Sequence, residues 1–252
     1  MHAVGPVQYR AVSLLLLQAR LSTDPVLSEE RESFAEVAGL PVEEISPWNL
    51  VELGAPSLEE VRRHSGLLVG GSGDFLVSES DMPYMDDTLS FLVDVVDKGL
   101  PMFASCFGFQ CLVEALGGRI VYDPDHAEVG TFDITLTEDG VADSLMGRLP
   151  RVFPAQLGRK DRADLLPPGV INLATSEACS LQALRIPGKP IWASQFHPEL
   201  TEATNRGRFY NYLENYQSVM APGALRDIVQ SFRPSPDTPH LLSGFVRWLA
   251  RQ

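Results

Sequence analysis

The chain has 252 residues, 44% hydrophobic and 21% charged, which supplies a buried core and excludes a disordered tail, a collagen-like repeat or a coiled coil. Its 20 Lys and Arg against 33 Asp and Glu leave a formal charge of −13. A surface that negative repels phosphate backbones and anionic lipid, so neither a nucleic acid nor a membrane is expected as a partner. Three cysteines, Cys106, Cys111 and Cys179, make no disulfide framework and fit a reducing compartment. The aliphatic run Leu14 to Leu17 is far too short to span a bilayer, and no basic segment leads into an apolar stretch at the N-terminus. A cytoplasmic location is expected.

Short apolar runs alternate with amphipathic stretches, the pattern of a mostly parallel sheet flanked by helices. The run Leu14 to Gln18 predicts a first core strand. Ser28 to Ala38 predicts a helix stopped by Gly39 and Pro41. Leu58 to His64 predicts a short helix, and Leu67 to Val69 a second buried strand that ends in a loop at Gly70-Gly71-Ser72-Gly73. Thr88 to Lys98 predicts a helix with Leu89, Leu92, Val93 and Val96 on one face. Pro101 to Ser105 predicts a third strand and Phe107 to Leu116 the helix after it. The second half is strand-rich, with strands expected over Phe132 to Thr137, Val170 to Thr175, Leu181 to Ile186 and Ile191 to Phe196. Glu202 to Tyr216 predicts an aromatic-rich helix.

The texture changes from Met220, where prolines punctuate two short helical pieces. A main domain over 1–216 with a helical extension over 217–252 is expected, because the extension is too short for a core of its own. Leu241, Leu242, Phe245, Trp248 and Leu249 recur at helical spacing, so one face should be buried on the domain or against a second copy of the chain.

Three segments carry chemistry. An apolar strand runs into Cys106, followed by Gly108 and a helix, which is the geometry of a nucleophile elbow with Cys in the Ser position. The helix N-terminus favours a thiolate, and the Phe107 amide would face a developing oxyanion. A buried, inert cysteine is the competing reading. Downstream, Gln195-Phe196-His197-Pro198-Glu199 follows a strand; His197 is a candidate base for the thiol and Glu199 its orienting acceptor. The Gly70 to Gly73 loop could offer backbone donors, and no Gly-Lys-Ser/Thr follows to make it a phosphate loop. Asp123, Asp125, His126 and Glu128 match no metal-ligand template and read as a solvated acidic loop. Phe209, Tyr210, Tyr212 and Tyr216 read as packing, and Cys111 and Cys179 as core.

Together these segments resemble the class I (triad-type) glutamine amidotransferases, and within them the amidotransferase half of GMP synthases. That family carries, in this order, a Gly-Gly loop, a Gly-x-Cys-x-Gly-x-Gln elbow and a His-Pro-Glu segment. Here Cys106, Gly108 and Gln110 match the elbow, and His197-Pro198-Glu199 matches the triad segment without a gap. Glu128-Val129-Gly130 sits where the family has an acidic-aromatic-Gly triplet, and Thr175-Ser176-Glu177 resembles the segment before the penultimate strand. The chain departs from the family at Ala104, where Gly is usual, and at Val129. It also departs over Gln156 to Asp161, where GMP synthases carry Ser-His-Gly-Asp, and no ATP-pyrophosphatase module follows residue 216.

The resemblance implies an α/β fold with a flavodoxin-like core and no cofactor or metal. It implies glutamine as substrate: Cys106 attacks the side-chain amide, His197 moves the proton, Glu199 holds the imidazole, Gly71 and Phe107 amides form the oxyanion hole, and Gln110 holds the substrate. Gly73 is the alternative to Gly71. The implied partner is a separate synthetase that receives ammonia, with homo-oligomerisation open. A stand-alone γ-glutamyl hydrolase with the same triad and a catalytically idle regulatory module are the competing functions.

Overall fold

A computed structural model describes residues 11–217 and 224–252. The change of texture expected at Met220 and Pro222 lies outside them. The first half comprises β1 (Leu14–Ala19), α1 (Val26–Ala38), β2 (Ile45–Asn49), α2 (Leu50–Leu53), α3 (Leu58–Arg62), β3 (Gly66–Ser72), α4 (Met85–Lys98), β4 (Met102–Ser105) and α5 (Phe107–Ala115). Then come β5 (Arg119–Tyr122), β6 (Glu128–Leu136), α6 (Glu138–Ala142), β7 (Val152–Arg159), β8 (Asp161–Leu165), β9 (Ile171–Thr175), β10 (Ala183–Arg185) and β11 (Ile191–Ser194). Helices α7 (Glu202–Asn211), α8 (Leu213–Gln217), α9 (Ala224–Ser231) and α10 (Pro239–Leu249) follow.

Nine strands form one sheet in the order β2-β1-β3-β4-β11-β10-β9-β6-β7, and β5 pairs with β8 beside it. Pairing is parallel from β2 through β11, and antiparallel from β11 onward. This is the expected α/β architecture, with the strand-rich second half supplying the antiparallel wing. The run Leu14 to Leu17 is apolar throughout because β1 is covered on both faces. Leu14 and Leu16 pack with Phe34 of α1 and Phe245 of α10, while Leu15 and Leu17 pack with Leu92 of α4 and Leu112 of α5.

Some elements were not expected. β2 carries Pro47, which argues against a strand; the strand survives because β2 lies at the sheet edge, where a missing N–H breaks no ladder. Gly70, Gly71 and Ser72 belong to β3 and not to a loop, so the turn begins at Gly73. β5, β7 and β8 are mixed in composition and have no periodic signal. The single helix expected over Glu202 to Tyr216 is broken at Tyr212 into α7 and α8.

The apolar face of α10 is buried. Leu241, Leu242, Phe245 and Leu249 join the core layer of β1, β3 and β4, and the Phe245 ring lies 6.1 Å from that of Phe103. Replacing Phe245 with Ala removes a fully buried ring from a close-packed layer, so Phe245→Ala should destabilise the fold by about 3–5 kcal/mol. Chemical denaturation of wild type and variant checks this; an unchanged midpoint would contradict the packing.

Candidate active site

The parallel sheet delivers its catalytic-type side chains at the C-terminal ends of adjacent strands, where open α/β sheets place their ligands. β4 and β11 pair with Ala104 beside Ala193 and Ser105 beside Ser194. The ladder continues one residue further, as the Cys106 N–H donates to the Ser194 carbonyl at 2.8 Å. The chain then turns at once into α5, and Cys106 takes φ 51° and ψ −106°. A non-glycine residue there carries about 1–3 kcal/mol of strain, which the flanking strand and helix must hold. Gly108 is required by close approach: a Cβ on it would stand 2.7 Å from the Val69 carbonyl oxygen. Absence of that Cβ lets α5 start directly over β3.

β11 leads into His197. Its N–H donates to the Gln156 carbonyl at 2.9 Å, a bridge to β7 that aims the ring back at the elbow. His197 Nδ1 pairs with Glu199 Oε1 at 2.6 Å, and the ring lies within electrostatic reach of Cys106. All three side chains are buried. Burial opposes a charged imidazole, but Cys106 and Glu199 outweigh it and hold the His197 pKa well above the usual range. Burial likewise opposes the Glu199 carboxylate, and His197 with Arg208 outweighs it and lowers the pKa. Cys111 and Cys179 are different: burial pushes both thiols up, which makes them poor nucleophiles.

The residues implied for the oxyanion hole separate. Phe107 opens α5, where first-turn N–H groups have no partner within the helix. Gly71 has another task. Its N–H donates to the buried Glu30 carboxylate at 3.2 Å, which takes it out of the role of oxyanion donor. A Cβ on Gly71 would stand 3.0 Å from His197 Cε1, so this glycine gives the imidazole its room. Gly73 lines the cleft beside Cys106, with Phe107, Gln110, Gly158, Lys160 and Tyr216. Gln110 lies in that wall, yet its Nε2 donates to the Asp161 carbonyl and to Gln195 Oε1, both at 3.1 Å, so only its Oε1 is left for a ligand.

Several residues around the site escaped the sequence reading. Glu30 is fully buried and takes a bidentate pair from Arg20, at 3.0 Å to each oxygen. Val26, Glu30 and Phe34 share one helix face at four-residue spacing, and a glutamate in that apolar stripe was the available signal. Arg208 is buried on α7 next to Glu199, at a distance along the chain that no motif records. Tyr212 and Tyr216 are more than packing. Tyr212 donates to Asp24 at 2.6 Å, and the Tyr216 hydroxyl lies 3.0 Å from where a Gly158 Cβ would stand, roofing the cleft. Burial, then Cys106, pushes the Tyr216 phenol pKa up. Glu128 is not in a solvated loop either. It is buried and accepts from Arg159 Nε at 2.9 Å and from Ser176 and Gln182. Among the described residues no helix is long and apolar enough to cross a membrane, and the three cysteines are free.

A mostly parallel α/β sheet thus brings a strained cysteine elbow and a buried His–Glu pair together at adjacent strand ends. The family model of class-I glutamine amidotransferases matches residues 56–213, and the chain belongs to that family. It is 30% identical to a glutamine-hydrolysing GMP synthase of Thermosipho melanesiensis over 179 residues, 71% of this chain and 31% of that protein. The chain thus spans about a third of the first GMP synthases it matches. It is 24% identical to a shorter relative, one subunit of the glutamine-hydrolysing GMP synthase of Methanoregula boonei, over 170 residues, 68% of this chain and 83% of that one. Its fold superimposes on a glutamine amidotransferase from Thermotoga maritima with a TM-score of 0.72 at 16% identity, covering 97% of this chain and all of that one. For a glutamine amidotransferase from Methylobacillus flagellatus the TM-score is 0.63 at 20% identity, covering 96% and 92%.

The His197–Glu199 pair makes stability depend on pH. Glu199, with its folded pKa lowered, stabilises the fold above its unfolded value near 4.3, and this is lost as pH falls through the folded value. His197, with its folded pKa raised, stabilises fully below its unfolded value near 6.5, and this is lost as pH rises through the folded value. Glu199→Gln should therefore lower the melting temperature most between those two limbs and least in acid. Melting curves across pH measure the difference; a constant offset at every pH would contradict the pairing.

Proposed function

We propose that this chain hydrolyses the side-chain amide of glutamine through a Cys106 thioester and supplies the ammonia to a separate synthetase. The observation that carries the proposal is the contact chain from Cys106 to His197 to Glu199 behind a cysteine held at positive φ. The Cys106 thiolate attacks the amide carbon, and its proton resides on His197. His197 returns that proton to the leaving nitrogen, and ammonia departs as the thioester forms. Water, deprotonated by His197, then cleaves the thioester to glutamate and restores the thiol. Glu199 orients the imidazole and balances its charge in both steps. The Phe107 amide, with Gly73 in place of Gly71, would receive the oxyanion, each donor worth roughly 3–4 kcal/mol in the transition state. Gln110 Oε1 is the acceptor left to hold the substrate.

Free thiols throughout support a reducing, cytoplasmic setting. The match to most of the Methanoregula boonei GMP synthase subunit supports a separate synthetase as partner. A γ-glutamyl hydrolase reading is favoured by one observation: the cleft wall at Gly158 to Lys160 departs from the GMP synthase pattern and brings Lys160 to the site.

A glutamine-derived chloro-ketone should label Cys106 alone, and Cys106→Ala should abolish labelling. Mass spectrometry placing the adduct on Cys111 or Cys179 would overturn the assignment. His197→Ala should reduce glutamine hydrolysis by several orders of magnitude and Glu199→Gln by less, since the base remains. Assays of ammonia and glutamate release check this, and full activity in His197→Ala would refute the triad. The chain alone should turn glutamine over slowly; if it cleaves a simple γ-glutamyl amide far faster than glutamine, the hydrolase reading replaces the amidotransferase one.

A further inference from the structure

The triad leaves one buried cation beside it without a role. Arg208 projects from α7 with its side chain 7% exposed. Its Nε donates to Glu29 Oε2 at 2.9 Å. Its Nη1 lies 3.8 Å from Glu199 Oε1 and 3.9 Å from Glu30 Oε1. Neither Nη1 nor Nη2 has a hydrogen-bond partner among the described residues, and neither has Glu199 Oε2. The guanidinium therefore stands between two buried carboxylates and acts on them as a charge. Glu30 cannot turn away, because Arg20 and Gln18 hold its oxygens at 3.0 Å. With Arg208 removed, Glu199 would face Glu30 in a dry interior, where burial and like charge both favour its neutral form. A neutral Glu199 no longer supports an imidazolium.

We propose that Arg208 is a positioning residue of the active site: set between Glu30 and Glu199, it keeps Glu199 a carboxylate aimed at His197 Nδ1. The inference rests on the triad reading above. Glu29 and Glu30 of α1 face the guanidinium, Arg20 shares Glu30 with it, and Tyr212, between α7 and α8, and Tyr216 of α8 lie within its field. Glu29 and Glu30 both remain when Arg208 is replaced, so the field at Glu199 turns more negative. Arg20 is already paired with Glu30 and Asp24 and cannot replace the lost charge.

The test is the pH profile of Cys106 alkylation by iodoacetamide, measured on the full chain alongside glutamine hydrolysis. An imidazolium that loses its carboxylate support holds the thiolate less well, so the acid limb moves to higher pH. Arg208→Gln should raise that limb by about one pH unit and lower kcat with little change in KM. Arg208→Lys, whose single ammonium cannot span both carboxylates, should raise it by about half as much. Adding Glu30→Gln to Arg208→Gln removes the like charge and should move the limb back toward wild type. A purely structural Arg208 would lower stability and leave the limb where it is. If Arg208→Gln fails to fold, Arg208→Lys decides alone; an unmoved limb in the folded variants overturns the proposal. The His197→Ala control separates the two readings. If it leaves alkylation unchanged, the triad itself is refuted; if it slows alkylation while the Arg208 variants keep the wild-type limb, only the role of Arg208 falls.

Discussion

The pairing of β4 with β11 is the constraint on which the site depends. These strands are far apart in the chain, and their register sets Ser105 beside Ser194. The hydrogen bond from the Cys106 N–H to the Ser194 carbonyl then fixes where the elbow turns. Because His197 follows three residues after Ser194, the same register decides how far the imidazole lies from the sulfur. A slip of one residue would turn each side chain of β11 to the opposite face of the sheet and carry His197 away from Cys106. The hydrogen bond from His197 to β7 completes the placement from the antiparallel wing. Both halves of the sheet thus hold the site, the parallel half carrying the cysteine and the antiparallel half aiming the histidine.

Behind the site lies a buried set of charges. Arg20, Glu30, Glu199 and Arg208 are all buried, and Asp24, Glu29 and Tyr212 adjoin them. Buried ions lose hydration that their mutual attraction only partly replaces, so such a set is weak as a source of stability. Its value is in geometry. Each carboxylate has a cation within 4 Å, and the set ties β1, α1 and α7 to the turn at His197. Gly71 belongs to the same construction: it leaves space for the imidazole, and its amide is held by Glu30. The strain at Cys106 is tolerable because the elements on either side of it are held this firmly.

The aromatic residues of α7 and α8 link the site to the C-terminal part of the chain. The Phe209 ring lies 5.7 Å from that of Tyr216 and 5.8 Å from that of Phe232, so one aromatic cluster joins the roof of the cleft to the segment after α9. The Asn215 side chain donates to Asp74 at 2.8 Å, which holds α8 against the turn after β3. Tyr212 has the same neighbour, since a Cβ on Gly73 would overlap its ring at 2.4 Å. The cleft is therefore bounded by a segment whose position depends on packing well away from the cysteine.

Local sequence determined those parts of this protein whose cause is local. The continuous apolar run Leu14 to Leu17 pointed to a strand covered on both faces, and Cys106-Phe107-Gly108 after an apolar strand pointed to a tight turn into a helix. His197-Pro198-Glu199 keeps an imidazole and a carboxylate two residues apart in the chain, and they pair at 2.6 Å. Tertiary structure decided the rest, because its causes are contacts between residues remote in the chain. Pro47 sits in a strand because that strand is at an edge, and β7 exists because β6 and His197 pair with it. Gly71 serves as space because the histidine ring arrives there from β11. Arg208 and Glu199 are neighbours only in the folded chain, where Arg208 also pairs with Glu29 of α1, and no spacing along the chain encodes a distance between two buried charges.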